Sequence, residues 1–229
     1  MKSSVEKPPA NLPKSWRPIP RRFFLDPPEI VAPKILGKLL AHHTAHGWLA
    51  GRIVEVEAYL GPHVTATQDP TTHSFRGITA RNRVMFGPPG ISYVYFIYGM
   101  YFCMNVTCEP EGKAGAILIR ALAPMLGLEQ MAANRKLTSP APEPKLTGGP
   151  GILCQALGIT RPAHNGLDLL DPASPLQIQQ DNWLPQKIDI TPRIGIRHAA
   201  DLPLRFSIRD NPCVSRIPKS KNVIMTETS

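Results

Sequence analysis

The chain has 229 residues, 42% of them hydrophobic, which suits one large domain or at most two small ones with a substantial core. Its 26 Lys and Arg outnumber 17 Asp and Glu, and the net charge of +9 points to nucleic acid or an acidic membrane surface as a partner. The cysteines form no C-x-x-C pair and have no histidine at ligand spacing, which argues against a disulfide framework or metal site and predicts buried, reduced thiols: Cys103, Cys108, Cys154 and Cys213.

Both ends of the chain are basic. Residues 1–22 contain five prolines and few apolar residues, so we expect a flexible basic arm there. The arm lacks the apolar stretch of a secretory signal, and we expect a protein that is not secreted and works in the cytoplasm, or in the nucleoid or nucleus with DNA. Residues 217–229 are expected to fray, which leaves residues 23–216 as the folded domain. Two basic flanks around a neutral body suit phosphate contacts on either side of a pocket.

The first half of the domain is predicted to hold one helix and three strands. A helix is expected from Asp26 to about His42, because apolar residues recur on one stripe. Alternating residues predict a strand over Trp48–Tyr59, and the Gly-, Pro- and Thr-rich residues 60–90 predict a long loop, which is usually functional or disordered. Ile91–Cys108 is expected to form two strands with a bend near Tyr98 and Gly99. Its regularly recurring tyrosines favour this over a membrane span.

The second half alternates between strands, helices and irregular segments. We expect a strand over Ala114–Leu122, a helix over Met125–Lys136, a short helix over Ile152–Leu157, an irregular segment over Leu167–Pro192, and strands over Ile194–His198 and Leu204–Arg209. No repeat and no linker separates two cores. The pattern therefore predicts one α+β domain.

Glu55 and Glu57 are two residues apart on a predicted strand, so both lie on one face with Tyr59. One interpretation is the solvated polar face of an edge strand. The other is a carboxylate beside an aromatic platform at the end of a strand, where an active site often forms.

Arg120 and the tyrosine-rich segment each allow two interpretations. Arg120 is surrounded by apolar residues, so it needs a carboxylate partner, in either a structural ion pair or a functional site. The tyrosines of Tyr93–Tyr101 could form a β-rich core or a platform on which bases stack. Tyr95 and Tyr98 are three apart, and a bend at Gly99 could turn one of them outward.

The remaining candidates are basic side chains. Six arginines could contact phosphates or simply form a charged solvent face: Arg81, Arg83, Arg193, Arg197, Arg205 and Arg209. A single loop histidine such as His73 is usually exposed and without a role. His42, His43 and His46 have no evident carboxylate ligand nearby, so we expect no metal there.

Many of the candidate residues fall in segments that resemble the alkyladenine (3-methyladenine) DNA glycosylases, the monofunctional family of mammals and many bacteria. The matching segments occur in the family's order over roughly residues 20–216 and are unusually long: Gly51–Pro62, His73–Ser74, Arg81–Phe86, Tyr93–Asn105, Leu118–Leu122, Leu153–Leu157 and Pro203–Phe206. The resemblance implies a single mixed domain with a curved, mostly antiparallel sheet surrounded by helices. It also implies a monomer that needs no metal or other cofactor and acts on double-stranded DNA containing damaged purines.

The resemblance also implies roles for several candidate residues. Glu57 matches the general base that activates water, and Arg120 helps to hold that water, with a backbone carbonyl near Ile194 as a further candidate. The other roles are the base pocket for Tyr59, His73, Tyr95 and Asn105, of which Asn105 disfavours guanine, and DNA intercalation for Tyr98. From the basic residues themselves, and not from the resemblance, we expect phosphate contacts at Arg81, Arg83, Arg193 and Arg197. The chain departs from the family at His63–Gln68, a longer linker than usual, and at Ile152, where relatives often have Lys.

Chemistry supports this interpretation, and two rivals remain. A base within a duplex must be extruded before its sugar carbon can be attacked, and an alkylated base carries a charge that aromatic faces attract. One rival is a nucleic-acid-binding module without enzymatic activity. The other is a glycoside hydrolase that uses Glu55 and Glu57 as a pair.

Overall fold

One antiparallel sheet organises the molecule. The computed structural model describes residues 11–64, 69–215 and, for the backbone, 224–227. In these ranges the strands are β1 (Arg17–Pro18), β2 (Leu39–Thr44), β3 (Gly47–Tyr59), β4 (Ser92–Ile97), β5 (Tyr101–Cys108), β6 (Gly115–Leu126), β7 (Leu176–Gln180), β8 (Lys187–Thr191), β9 (Arg205–Ile208) and β10 (Ile224–Glu227). The helices are α1 (Pro28–Ile35), α2 (Leu128–Asn134), α3 (Glu143–Thr147), α4 (Pro150–Leu157) and α5 (Arg161–His164). The expected single α+β domain is confirmed.

The strand order places β3 at the centre. The main path runs β1-β7-β2-β3-β6-β5-β4, and β9, β8 and β10 branch from β3. Every described pair is antiparallel. The first half of β3 pairs with β2, whereas Glu55–Glu57 pair with both β6 and β9. Register shifts in the β3–β6 ladder around Ile53–Val56 add residues to one strand and bend it.

A hydrophobic core fills the space between the sheet and the helices. It includes side chains from α1, β3, β6 and α4, such as Ile35, Val56, Ile119 and Leu153. A second, smaller cluster contains Tyr93, Tyr95, Cys103 and Leu118, with Met85 packed beside them. Because Tyr93 and Tyr95 belong to this cluster and Val94 to the larger one, β4 separates the two. All four cysteines are buried and free, as expected.

Several predicted elements are confirmed, and the first helix is corrected. The strand at β3, the β4–β5 hairpin, β6, α2 and α4 lie where the sequence predicted them, to within a few residues. The helix predicted to reach His42 ends at Ile35, because Gly37 turns the chain at φ +85°. Leu39–Thr44 then pairs with both β3 and β7 as β2.

That strand buries a histidine pair. His42 Nε2 lies 2.9 Å from His164 Nε2, and His42 Nδ1 lies 2.7 Å from the carbonyl oxygen of Leu157. Burial lowers the pKa of His42 to about 4 and also lowers the pKa of His164. Both rings are therefore neutral at pH 7, and they join β2 to α5.

The ends of the domain also differ from the prediction. Part of the expected arm is packed, since Arg17–Pro18 pairs with β7, Ile19 is buried, and Arg21 forms an ion pair with Asp168. Ile224–Glu227 pairs with β8 and does not fray. Residues 1–10, 216–223 and 228–229 lie outside the described residues.

Two further segments were assigned wrongly. The segment Leu167–Pro192, predicted to be irregular, contains β7 and β8. Ile194–His198 is a loop and not a strand, because the chain leaves β8 after Thr191. In the described ranges, no helix is long and apolar enough to cross a membrane.

Candidate active site

Two glutamates lie fully buried on the central strand. Glu55 and Glu57 each have 0% of their surface exposed. The interpretation as a solvated edge is therefore wrong, because β6 and β9 flank this part of β3. Buried carboxylates require charged or hydrogen-bonding partners, and those partners distinguish the two residues.

Glu55 is held entirely by the protein. Its Oε1 accepts hydrogen bonds from Nε of Arg120 at 2.8 Å and Nε of Arg205 at 2.7 Å, and its Oε2 accepts from the backbone N–H of Ser215 at 2.8 Å. Burial alone would raise the pKa of Glu55, but the charges of Arg120 and Arg205 outweigh it and hold that pKa below its ordinary value. Glu55 is thus held as the structural ion-pair partner of two buried arginines.

Glu57 has a different set of partners. Its Oε1 accepts from the backbone N–H of Ile194 at 2.7 Å and lies 3.2 Å from a terminal nitrogen of Arg120, while its Oε2 accepts from the Tyr59 hydroxyl at 3.0 Å. Burial would lower the pKa of Arg120, but Glu57 and Glu55 raise it, so the guanidinium stays charged between them. Arg120 is thus both a structural ion-pair partner and a neighbour of Glu57.

A pocket opens beside Glu57. Its volume is about 380 Å³ including the mouth, and it brings together all four residues expected to hold a base. Its lining consists of Tyr59, Thr71, Thr72, His73, Met85, Tyr95, Asn105 and Ile196. The two threonines, Met85 and Ile196 were not predicted as pocket residues, because Met85 lies in a single turn of 3-10 helix (Arg83–Phe86) and the other three lie in loops. Glu57 itself does not line the pocket, but it accepts a hydrogen bond from the hydroxyl of Tyr59, which does.

The aromatic rings of the pocket support one another. His73 meets Tyr95 edge-on at 4.5 Å between ring centres, and Tyr93 stacks on Tyr95 at 5.3 Å. His73 Nδ1 lies 3.0 Å from the Tyr93 hydroxyl, and the Asn82 side chain donates to the backbone carbonyl of His73 at 2.8 Å. Burial and the charge of Arg81 lower the pKa of His73. His73 therefore lies in the pocket with a neutral ring, and residues 65–68 of the longer linker lie outside the described residues.

Asn105 presents an unusual polar group. The residue is 4% exposed and lines the pocket, yet its Oδ1 has no hydrogen-bond partner among the described residues. An unmatched buried oxygen is costly unless a ligand or water meets it. The tyrosines remain protonated, since burial and the charge of Glu57 raise the pKa of Tyr59 and burial raises that of Tyr95. In the described residues, no cluster of His, Cys, Asp or Glu could hold a metal ion.

Comparison with known proteins gives the family. The model of the methylpurine-DNA glycosylase family matches residues 22–212. The chain belongs to the methylpurine-DNA glycosylase family. A relative from Koribacter versatilis (strain Ellin345) is 50% identical over 198 residues, covering 86% of this chain and 93% of the relative. A relative from Rhodopseudomonas palustris (strain ATCC BAA-98 / CGA009) is 46% identical over 217 residues, covering 94% and 97%. Both carry the name "Putative 3-methyladenine DNA glycosylase".

Membership makes the protein a DNA glycosylase, a hydrolase of N-glycosyl bonds in base excision repair, and its substrate is DNA. The tip of the β4–β5 hairpin carries exposed apolar side chains. Tyr98 is 85% exposed at φ 49°, and Met100 is also exposed. A bulky residue rarely adopts a positive φ, and such strain often marks a functional site. Tyr98 follows Tyr95, which lines the pocket, by only three residues along the chain.

The four arginines predicted to contact phosphates do not share one environment. Arg81, Arg83 and Arg197 are exposed, as a contact with the DNA backbone of a methylpurine-DNA glycosylase requires. Arg193 has 0% of its surface exposed and forms a two-pronged ion pair with Asp69, at 2.6 Å and 3.0 Å. The prediction of a phosphate contact at Arg193 is therefore wrong, because its guanidinium is enclosed and already paired.

Arg205 and Arg209 are also paired with carboxylates. Arg205 is buried against Glu55, and the Nε of Arg209 donates to Asp189 at 2.7 Å. Nothing in the sequence around either arginine indicated these partners.

Proposed function

We propose that this protein takes an alkylated or deaminated purine out of duplex DNA into the pocket and hydrolyses its N-glycosidic bond, leaving an abasic site. The observation that carries the proposal is Glu57, a fully buried carboxylate held by Arg120, Ile194 and Tyr59, of which Tyr59 lines an aromatic pocket. We further propose that the protein acts as a monomer, in the cytoplasm or wherever the cell keeps its DNA.

Extrusion of the base requires a side chain that takes its place in the duplex and a pocket that holds it outside the duplex. Tyr98, on its exposed hairpin tip, would fill the gap that the extruded base leaves. Arg81, Arg83 and Arg197 would hold the phosphates around the site. Extrusion costs a few kcal/mol and costs least for a damaged or mispaired base, which itself favours lesions.

The pocket would select the base by its faces and edges. The rings of Tyr59, Tyr95 and the neutral His73 attract a base that alkylation has made cationic. The unmatched Oδ1 of Asn105 lies within a wall that a purine edge would meet. As the resemblance implies, we expect Asn105 to disfavour normal guanine through the exocyclic amine of that base.

Glu57 would act on water. As the bond between the sugar C1′ and the base nitrogen breaks, its electron pair leaves with the base, and the water oxygen bonds to C1′ while Glu57 takes the proton. Arg120 and the Tyr59 hydroxyl hold the carboxylate in place, and its negative charge stabilises the oxocarbenium-like sugar. No lysine lines the described pocket, so we expect hydrolysis without a Schiff base and without strand cleavage.

The test compares Glu57→Gln with the wild type on a duplex that carries one hypoxanthine or ethenoadenine. The wild type should produce alkali-labile abasic sites in the presence of a chelator. Glu57→Gln should bind the same duplex yet release base about 10²–10⁴ times more slowly, the usual contribution of a general base. The matched control is Glu111→Gln, at an exposed glutamate. Base release by Glu57→Gln at the wild-type rate would refute the role of Glu57, whereas a wild type that binds the duplex and releases no base would favour a binding module.

A further inference from the structure

The rear of the Tyr59 ring is covered by a buried ion pair. The Arg193 guanidinium lies over the ring with its central carbon 4.6 Å from the centroid, and Asp69 holds both of its terminal nitrogens. Both residues of the pair have fully buried side chains. Neither is among the residues that line the pocket, so the guanidinium contacts Tyr59 from the protein side.

This ion pair joins two walls of the pocket. Asp69 also accepts hydrogen bonds from the backbone N–H and the hydroxyl of Thr71, which opens the turn leading to His73. Arg193 donates to the backbone carbonyl of Ala58 at 3.2 Å and immediately precedes Ile194, whose N–H bonds Glu57. The pair therefore positions residues on both sides of the base.

The pair also controls the charge that a bound base experiences. A cation over one face of an aromatic ring competes with a second cation on the other face, because both are attracted by the same electron density. Asp69 offsets the charge of Arg193 at hydrogen-bonding distance. With Asp69 ionised, the pair has no net charge, and the pocket face of Tyr59 remains available to a cationic base.

We propose that Asp69 is a specificity-determining positioning residue, which neutralises Arg193 behind Tyr59 and thereby permits the pocket to accept cationic purines. This inference rests on the proposed function. A base stacked on Tyr59 would lie about 8 Å from the guanidinium, where one unit charge at an effective dielectric constant of about 20 changes an equilibrium roughly tenfold or more. A neutral purine lacks that repulsion.

The experiment measures single-turnover release of 7-methylguanine, which is cationic, and of hypoxanthine, which is neutral, from otherwise identical duplexes. The quantity of interest is the ratio of the two rate constants. In Asp69→Asn the ratio should fall about tenfold, since Arg193 is left with a net positive charge. In Arg193→Gln it should rise, since Asp69 is left with its negative charge. In the double variant, which has neither charge, it should return to within about threefold of the wild type.

The three variants separate charge from structure. A purely structural role predicts that both rate constants fall together and the ratio stays at its wild-type value in every variant, and that result would overturn the proposal. If Asp69→Asn does not fold, as judged by circular dichroism, Arg193→Gln is still expected to raise the ratio, whereas a purely structural role leaves it unchanged. Failure of the wild type to release either base would refute the proposed function itself, which distinguishes that failure from an unchanged ratio.

Discussion

Replacing Glu55 by glutamine removes the negative charge that two buried arginines share. The substitution keeps the size of the side chain, but its amide NH₂ now faces groups that are all donors: Arg120, Arg205 and the N–H of Ser215. Breaking a buried ion pair by removing one partner typically costs about 3–5 kcal/mol. For a chain of this size, such a loss lowers the midpoint of thermal unfolding by roughly 6–20 °C.

The stabilising effect of Glu55 depends on pH. Because the folded state holds the pKa of Glu55 below its ordinary value, its contribution to stability is complete above the unfolded pKa of about 4.3 and is lost as pH falls through the folded pKa. The free energy of unfolding of the wild type should therefore decline below about pH 4.5 relative to Glu55→Gln. The difference between the two proteins should be largest near neutral pH.

Urea unfolding followed by circular dichroism, between pH 3 and 7, measures both effects. Glu111→Gln is the control, because Glu111 is exposed and its replacement should change stability by no more than about 0.5 kcal/mol. If Glu55→Gln is as stable as the wild type at pH 7, the ion-pair cluster does not support β3 as argued. An unchanged midpoint with lost base release would instead assign Glu55 to the chemistry.

Three other predictions concern the hairpin tip, the exposed arginines and the histidine pair. Tyr98→Asn should unfold no more easily than the wild type, since Asn tolerates φ 49°. Its binding to a lesion duplex, measured by fluorescence anisotropy, should weaken by about 1–3 kcal/mol, and unchanged affinity would refute the intercalating role of Tyr98. Arg83→Ala and Arg197→Ala should each reduce the slope of log affinity against log salt by about 1, equally for every lesion. A lesion-dependent effect would contradict a phosphate contact. In the wild type, the free energy of unfolding should fall by about 3 kcal/mol as pH falls from about 6.5 to 4, because protonation of His42 favours the unfolded chain. His42→Gln should not show this loss. An equal slope in both proteins in urea unfolding would refute this.

Local patterns predicted the framework of the site. The alternation along β3 and the turn at Tyr98 and Gly99 are encoded by neighbouring residues, so the strand and hairpin were found without tertiary information. The helix after Asp26 was extended too far, because its apolar stripe continues through Leu39 and Leu40 and only the conformation of Gly37 interrupts it. Those two leucines are buried by the sheet instead.

The identities of the site residues depended on distant partners. Strand spacing alone placed Glu55 and Glu57 on one face and could not choose between them. What distinguishes them comes from Ile194, Arg205 and Ser215, more than 130 residues along the chain. From its sequence neighbours alone, Arg193 could not be distinguished from a surface arginine, because its buried partner Asp69 lies 124 residues away in the chain. The resemblance to known glycosylases selected Glu57 for the chemistry, and the pairing of Glu55 is consistent with that choice.

The residues in and beside the pocket differ in how well they should tolerate substitution. Glu57 lies on a strand that is paired on both sides, so most substitutions near it in β3 would disturb the core as well as the chemistry. Thr71, Thr72 and Ile196, by contrast, lie outside the strands. A library designed to alter the range of excised bases should therefore randomise these loop positions and leave β3 intact, and its folded fraction should greatly exceed that of a library at β3.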